Sequence, residues 1–86
     1  MGKFTVIIEK GGDRIRLRTV PAQSLSFVIE LFAYERVNDF YVNKNENSIL
    51  VSKSKKKIIL DILKEICKNK QNSADGDVIE LECSGG

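Results

Sequence analysis

The chain holds few residues of the types that carry out catalysis. It has two cysteines, Cys67 and Cys83, and no histidine. It therefore lacks a cysteine–histidine nucleophile pair and the four nitrogen or sulfur ligands of a usual structural zinc site. Asp75 and Asp77 are paired carboxylates, but they flank Gly76, and a turn explains this pattern without acid–base chemistry. Because there is also no phosphate-cradling glycine loop, we predict no enzyme activity, no cofactor and no metal site.

The first group of residues suited to binding is a set of arginines. Arg14, Arg16 and Arg18 recur at every second position, so they lie on one face of a strand. This face has two interpretations. It is either a solvated outer face whose arginines pair with Glu9, Glu80 and Glu82, or a docking patch for an acidic or phosphate-bearing partner. Guanidinium groups bind both carboxylates and phosphates through two parallel hydrogen bonds.

The second group is a cluster of lysines at the start of a predicted helix. Lys53, Lys55, Lys56 and Lys57 stand where cations oppose the helix dipole. The cluster is either a merely solvated basic segment or a contact for phosphate or nucleic acid. No aromatic residue lies between these lysines, so a platform for stacking single-stranded bases is not indicated.

Composition limits the function classes. The 86 residues are enough for one domain, and 42% apolar with 30% charged residues is ordinary for a globular protein. A net charge of +2 gives little support to a dedicated nucleic-acid-binding domain. No apolar stretch approaches the ~20 residues that span a bilayer, and the N-terminus lacks the apolar core of a signal peptide. The two cysteines could form one disulfide, but because nothing suggests secretion we expect a cytoplasmic protein with free thiols, in which Cys67 packs as a small apolar side chain.

The chain elements that position these residues follow from hydrophobic periodicity. Residues 4–9 and 14–18 alternate as strands, joined by a hairpin turn at Gly11-Gly12-Asp13. Helical spacing predicts a helix that ends at Tyr34 and another over 55–69. Further strands are expected at 40–42, 48–52 and 78–83, with a polar turn at 43–47 and a loop at 70–76. The two predicted apolar helix faces comprise Phe27, Val28, Leu31 and Phe32, and Ile58, Ile59, Ile62, Leu63, Ile66 and Cys67.

This order, with its opening hairpin and helix, resembles the β-grasp fold of ubiquitin-like proteins. The end of the chain is an Asp-Gly-Asp turn at 75–77, a strand, and then Ser84-Gly85-Gly86. It resembles the ending of the sulfur carrier proteins of molybdopterin and thiamine synthesis. The resemblance implies a strand order of 2-1-5-3-4, with the arginines and the two C-terminal glutamates flanking Ile7. It also implies that an activating enzyme adenylates the carboxylate of Gly86, at the end of an unhindered glycine tail.

We therefore predict one α+β domain over residues 1–83, followed by a flexible tail at 84–86. Its order is β-β-α-β-β-α-β, with a mixed four- or five-stranded β-grasp sheet and two helices on one face. The expected function is a ubiquitin-like, non-catalytic protein-binding module. Its partner site comprises Ile7 and the three arginines, and Gly85 and Gly86 serve for activation as a sulfur carrier or protein modifier. The partner would be a protein, such as an adenylating enzyme. The alternatives are a small nucleic-acid-binding or regulatory domain that uses the lysine cluster and the arginines, and an adaptor subunit with an inert tail.

Overall fold

The computed structural model describes residues 2–71 and 78–85, which form six strands and two α-helices. Short 3-10 turns at Ala22–Ser24 and Lys53–Lys55 lead into the two helices. The predicted turn at 75–77 and Gly86 lie outside the described residues. The elements are β1 (Lys3–Gly11), β2 (Arg14–Val20), α1 (Leu25–Tyr34), β3 (Phe40–Asn43), β4 (Ser48–Ser52), α2 (Lys56–Leu63), β5 (Cys67–Gln71) and β6 (Val78–Ser84).

The strands form a single sheet in the order β3-β4-β2-β1-β6-β5, and each neighbouring pair is antiparallel. The predicted α+β class is confirmed, and β1 does lie between β2 and the last strand. The mixed sheet, the count of four or five strands and the order 2-1-5-3-4 are wrong. The physical reason is β5, which precedes β6 as its hairpin partner. Because β6 returns beside β5, it reaches β1 in the antiparallel direction, so the sheet is not mixed. The strand order differs because β4 pairs with β2, whereas the β-grasp resemblance placed β3 and β4 beyond the last strand.

The second helix is shorter than the predicted span of 55–69. It ends at Leu63, residues 64–66 form a turn, and Cys67 begins β5. The helical pattern continues by chance into Ile66 and Cys67, but pairing with β6 determines their structure. Ile58, expected on the buried face of the helix, is 55% exposed. The long-range pairing of β5 with β6 therefore overrides the local helical periodicity of the segment that ends at Cys67.

The core lies between one face of the sheet and both helices, so the expectation of two helices on one face holds. Alternate strand residues point towards the helices because successive side chains in a strand face opposite sides. Phe4 contacts Phe27 of α1 edge to face, with ring centroids 5.7 Å apart, and Phe32 contacts Phe40 at 5.9 Å. The fully buried core side chains are Val6, Ile15, Leu17, Val28, Phe32, Ile49, Val51, Ile59, Leu63, Leu81 and Cys83.

Two local turns fix the ends of these elements as the sequence chemistry requires. Gly12 has a φ of 62° in the two-residue turn between β1 and β2, where a side chain would be strained. In the β3–β4 turn, the Asn43 side-chain oxygen accepts hydrogen bonds from the backbone N–H groups of Asn45 and Glu46 at 3.1 and 3.2 Å. Both predicted turns are confirmed, and the first brings the start of the arginine strand next to the end of β1.

Candidate functional site

The candidate site is the sheet face that points away from the helices, called the outer face below. No described helix covers it, and it carries the alternate residues of each long strand that do not enter the core. Arg14, Arg16 and Arg18 all lie on this face, as predicted, because Ile15 and Leu17 between them are fully buried. The outer face comprises Thr5, Ile7 and Glu9 of β1, Arg14, Arg16, Arg18 and Val20 of β2, Tyr41 of β3, Leu50 of β4, Lys68 of β5, and Val78, Glu80 and Glu82 of β6.

Ile7 lies at the centre of the outer face. In the strand register it stands opposite Arg18 on one side and opposite Glu80 on the other. This is the flanking that the sequence predicted, and it survives the change of strand order because β1 still separates β2 from the last strand. Ile7 is half-buried, so it forms a small apolar centre between a basic strand and an acidic one.

The arginines differ in how firmly they are held. The Arg18 Nε donates to the Glu9 Oε1 at 2.9 Å, so the expected pairing with Glu9 is confirmed. The Arg16 guanidinium lies 3.7 Å from the Glu46 carboxylate, and both side chains are almost half exposed. Arg14 forms no ion pair with any residue in the described part of the chain. The pairing expected with Glu80 and Glu82 is absent there too, because β1 holds β2 and β6 apart.

An apolar component of the outer face was missed by sequence analysis. Tyr41 is 59% exposed, and it lies opposite the half-buried Leu50. In the strand register, Leu50 lies opposite Arg16, Arg16 lies opposite Glu9, and Glu9 lies opposite Val78. One row across five strands therefore places two charged side chains, Arg16 and Glu9, between apolar side chains at both ends. The sequence did contain one sign of this. Tyr41, between Phe40 and Val42, is a large apolar residue at the strand position that faces away from the core, where a polar residue is usual.

A shallow depression of about 400 Å³ lies where this row meets the β1–β2 turn. Glu9, Arg14, Arg16 and Leu50 contribute to its lining. The depression combines cationic, anionic and apolar groups within one open surface. Such a mixture suits reversible contact with another macromolecule better than enclosure of a small substrate.

The lysine cluster separates into engaged and unengaged residues. The Lys55 Nζ donates to the Asn38 carbonyl oxygen at 2.6 Å and lies 3.5 Å from the Asp39 carboxylate. Lys53, Lys56 and Lys57 instead border a groove of about 470 Å³ beside α2. Partial burial lowers the pKa of Lys56, and the nearby cations of Lys10 and Lys53 lower it further. Lys10 was not foreseen, since it lies more than forty positions away in sequence.

The two cysteines form a disulfide between β5 and β6, so the expectation of free thiols is wrong for this structure. Cys67 lies directly opposite Cys83, and the Ser84 N–H donates to the Ile66 carbonyl oxygen beside them. That hydrogen bond makes the cysteines a non-hydrogen-bonded pair, the position where opposite side chains come closest. The expectation was based on the absence of any sign of secretion, and it also placed Cys67 on a helix, whereas the structure places it on β5 opposite Cys83.

The C-terminal residues continue the sheet as far as they are described. Ser84, the first residue of the predicted tail, pairs with Lys3 at the end of β6. The Gly85 N–H donates to the Gly2 carbonyl oxygen at 3.4 Å. Gly86, whose carboxylate would be the reactive group, lies outside the described residues. The geometry of activation at Gly85 and Gly86 is therefore not defined.

Within 2–71 and 78–85, no three His, Cys, Asp or Glu side chains come together in a group able to hold a metal ion. No helix in those ranges has the length and hydropathy needed to cross a membrane.

Comparison with known proteins leaves the outer face as the main guide to function. No family model, curated protein or solved structure matched the chain.

Proposed function

We propose that this protein is a non-catalytic protein-binding module that docks on its partner through the outer face. The row formed by Tyr41, Leu50, Arg16, Glu9 and Val78 is the observation that carries the proposal. Tyrosine and arginine are enriched in protein interfaces, and the described residues include no other element that covers this row. An antiparallel sheet with one uncovered face offers a rigid platform, so little conformational entropy is lost on docking.

The charge distribution of the face favours a partner that presents carboxylates beside apolar side chains. Of the three arginines on the outer face, Arg14 has no ion pair among the described residues and Arg16 has only the solvent-open pair with Glu46, and both line the depression with Leu50. Their guanidinium groups bind partner carboxylates in a bidentate manner, while the apolar residues remove water from the contact. Arg18, already bonded to Glu9, maintains the shape of the face rather than reaching for the partner.

Site-specific photo-crosslinking tests this proposal in cells that express the native chain. A photoreactive phenylalanine analogue replaces Tyr41 on the outer face or, as the matched control, Tyr34 of α1, which is 83% exposed. We expect one protein partner to crosslink at position 41 and not at position 34. Mass spectrometry of the crosslinked peptide should identify an acidic segment, and Arg16→Glu should abolish the product.

Equal crosslinking from both positions would contradict the proposal, and so would a product that persists in Arg16→Glu. Arg36→Glu provides the control for the change of charge, since Arg36 is exposed and follows α1 rather than lying on the outer face. This variant should retain the product.

Activation at the C-terminus is a separate proposal that has support from the sequence Ser84-Gly85-Gly86 alone. The purified chain would be incubated with ATP, hydrosulfide and a sulfur-carrier activating enzyme, so that hydrosulfide can displace AMP from the acyl-adenylate, and its intact mass would be measured. Replacement of one carboxylate oxygen by sulfur would support a carrier role. Unchanged mass, together with full function after deletion of Gly85 and Gly86, would remove that role and leave docking through the outer face unaffected.

A further inference from the structure

A second surface lies at the end of the β1–β2 hairpin, on the helix side of the sheet. Lys10 is the second-last residue of β1, Lys53 begins the 3-10 turn before α2, and Lys56 is the first residue of α2. The Lys53 N–H donates to the Asp13 carbonyl oxygen at 2.9 Å, which fixes the start of α2 against the hairpin turn. The fold therefore brings Lys10 close to Lys53 and Lys56, which lie more than forty positions away in sequence.

These cations lack the partners that other cations of the protein have. Lys55, Arg16 and Arg18 each pair with a carboxylate. Among the described residues, no carboxylate lies within ion-pair distance of Lys10, Lys53, Lys56 or Lys57. Asp13 lies three positions after Lys10, and Asp61 lines the groove beside α2, but neither forms an ion pair with these lysines. The mutual repulsion appears in the lowered pKa of Lys56, which has partial burial as its first cause and Lys10 and Lys53 as further ones. A bound anion would relieve this repulsion.

The length of the basic surface indicates whether a single phosphate or a chain of phosphates fits it. Lys53, Lys56, Lys57 and Lys64 line one groove along α2 together with Leu60 and Asp61. At 1.5 Å per residue, the eleven positions from Lys53 to Lys64 extend over about 16 Å of helix. A nucleic-acid strand carries one phosphate for about every 3.4 Å of axial rise, so a row of this length meets several phosphates. A single phosphate would use only part of it.

We propose that Lys10, Lys53, Lys56 and Lys57, together with Lys64 at the far end of the groove, bind the sugar–phosphate backbone of a nucleic acid without reading its sequence. This site, called the lysine groove, is distinct from the outer face. Lysine ammonium groups bind phosphate as point charges and carry no base-specific pattern of donors and acceptors. The groove lining contains no aromatic, asparagine or glutamine side chain among the described residues, so affinity comes from charge alone.

Fluorescence anisotropy with labelled duplex DNA of mixed sequence, at a series of salt concentrations, tests the proposal. We expect the logarithm of the association constant to fall with that of the salt concentration, with a slope of about −3 to −4 for four phosphate contacts. A duplex of scrambled sequence should bind equally well. Lys10→Gln and Lys56→Gln should each make the slope shallower by about one, and together they should weaken binding on the order of tenfold at low salt.

The matched control is Lys55→Gln, which removes a neighbouring charge whose ammonium is already bound to Asn38 and Asp39. It should leave the slope unchanged, and so should Arg16→Glu on the outer face. Absence of binding at low salt, or a slope unaltered by Lys10→Gln and Lys56→Gln, would overturn the proposal. Binding to phosphatidylserine vesicles without binding to DNA would also overturn it, because the groove would then serve a membrane surface. Since Arg16 plays no part in the lysine groove, this result is independent of docking through the outer face.

Discussion

Arg16 lies directly opposite Leu50 across the β2–β4 pair, and its guanidinium reaches towards Glu46 at 3.7 Å. Opposite side chains on one face of a sheet are in contact, so the methylene stem of Arg16 lies along an apolar neighbour. The charged end remains near water. Arg16 is therefore the residue at which the basic and apolar parts of the outer face meet. A substitution at Arg16 should weaken partner binding while the protein remains folded.

Arg16→Glu should remain folded and lose at most about 1–2 kcal/mol in the free energy of unfolding, part of it because the new glutamate lies opposite Glu9. Its ion pair with Glu46 is open to solvent, and exposed pairs contribute less than about 1 kcal/mol to the free energy of unfolding. Urea denaturation followed by circular dichroism checks this, with Arg36→Glu as the control for charge. A loss of several kcal/mol would mean that Arg16 holds the sheet together, and it would disqualify the variant as a probe of binding.

The disulfide should provide a large share of the stability. It closes a loop between residues separated by 16 positions, and the chain-entropy estimate for a loop of that size is about 3 kcal/mol. Dithiothreitol should lower the free energy of unfolding by roughly this amount. The double variant Cys67→Ala/Cys83→Ala should be insensitive to the reductant. Alkylation of both cysteines in protein purified without reductant, detected by mass spectrometry, would contradict the disulfide.

Sequence periodicity was sufficient for the elements whose structure is local. The β1–β2 hairpin, the end of α1 at Tyr34 and the bounds of β4 all follow from alternation, helical spacing and turn residues. In contrast, β5 has only one apolar residue, Cys67, and thus no period of two to detect. Its place in the sheet depends on pairing with β6, which no local pattern encodes.

The candidate site divides in the same way. The arginine stripe could be predicted because a strand fixes which residues share a face, whereas the flanking of Ile7 came from the β-grasp resemblance, which places β1 between β2 and the last strand. The contacts between Arg16 and Glu46, and between Lys10 and Lys56, could not. They join residues that are far apart in the chain, and only the strand order and the docking of α2 bring them together.

Arg36→Gly should stabilise the protein by about 0.5–1 kcal/mol. Arg36 has a φ of 61° after α1, where its N–H and that of Val37 donate to the carbonyl oxygens of Ala33 and Phe32. This hydrogen-bond pattern favours glycine at the left-handed position. Thermal unfolding measures the effect, and Arg36→Ala, which retains the strained φ, is the control. A glycine variant no more stable than the alanine variant would contradict this account of the helix end.

Ser48→Ala should leave the free energy of unfolding unchanged or raise it by up to about 1 kcal/mol. The Ser48 hydroxyl is fully buried and has no hydrogen-bond partner in the described residues. Thr19→Val is the matched comparison, because the Thr19 hydroxyl donates to the Ala22 carbonyl oxygen at 3.2 Å. It should lower the free energy of unfolding by about 0.5–1.5 kcal/mol. Equal losses in chemical denaturation would show that both hydroxyls are bonded.

Removal of the Lys56 charge should raise stability at neutral pH and low salt. Partial burial, then Lys10 and Lys53, lower the pKa of Lys56 below its ordinary value of 10.5. The unfolded state therefore binds the proton more tightly, and the Lys56 contribution to stability improves as pH rises from the lowered pKa towards 10.5. Lys56→Gln should increase the free energy of unfolding at pH 7, less so at high salt. Lys55→Gln should decrease it, since its contact with Asn38 is lost. A decrease in Lys56→Gln would mean that the lysines do not repel each other.

The most direct test of docking through the outer face is isothermal titration of the crosslinked partner against purified variants. Arg16→Glu and Tyr41→Ala should each weaken binding by at least about tenfold, as expected for central interface residues. Arg36→Glu and Tyr34→Ala, the controls away from that face, should bind like the wild type. Unchanged affinity in both Arg16→Glu and Tyr41→Ala, with the fold intact, would contradict the proposal that the uncovered sheet face is the binding surface.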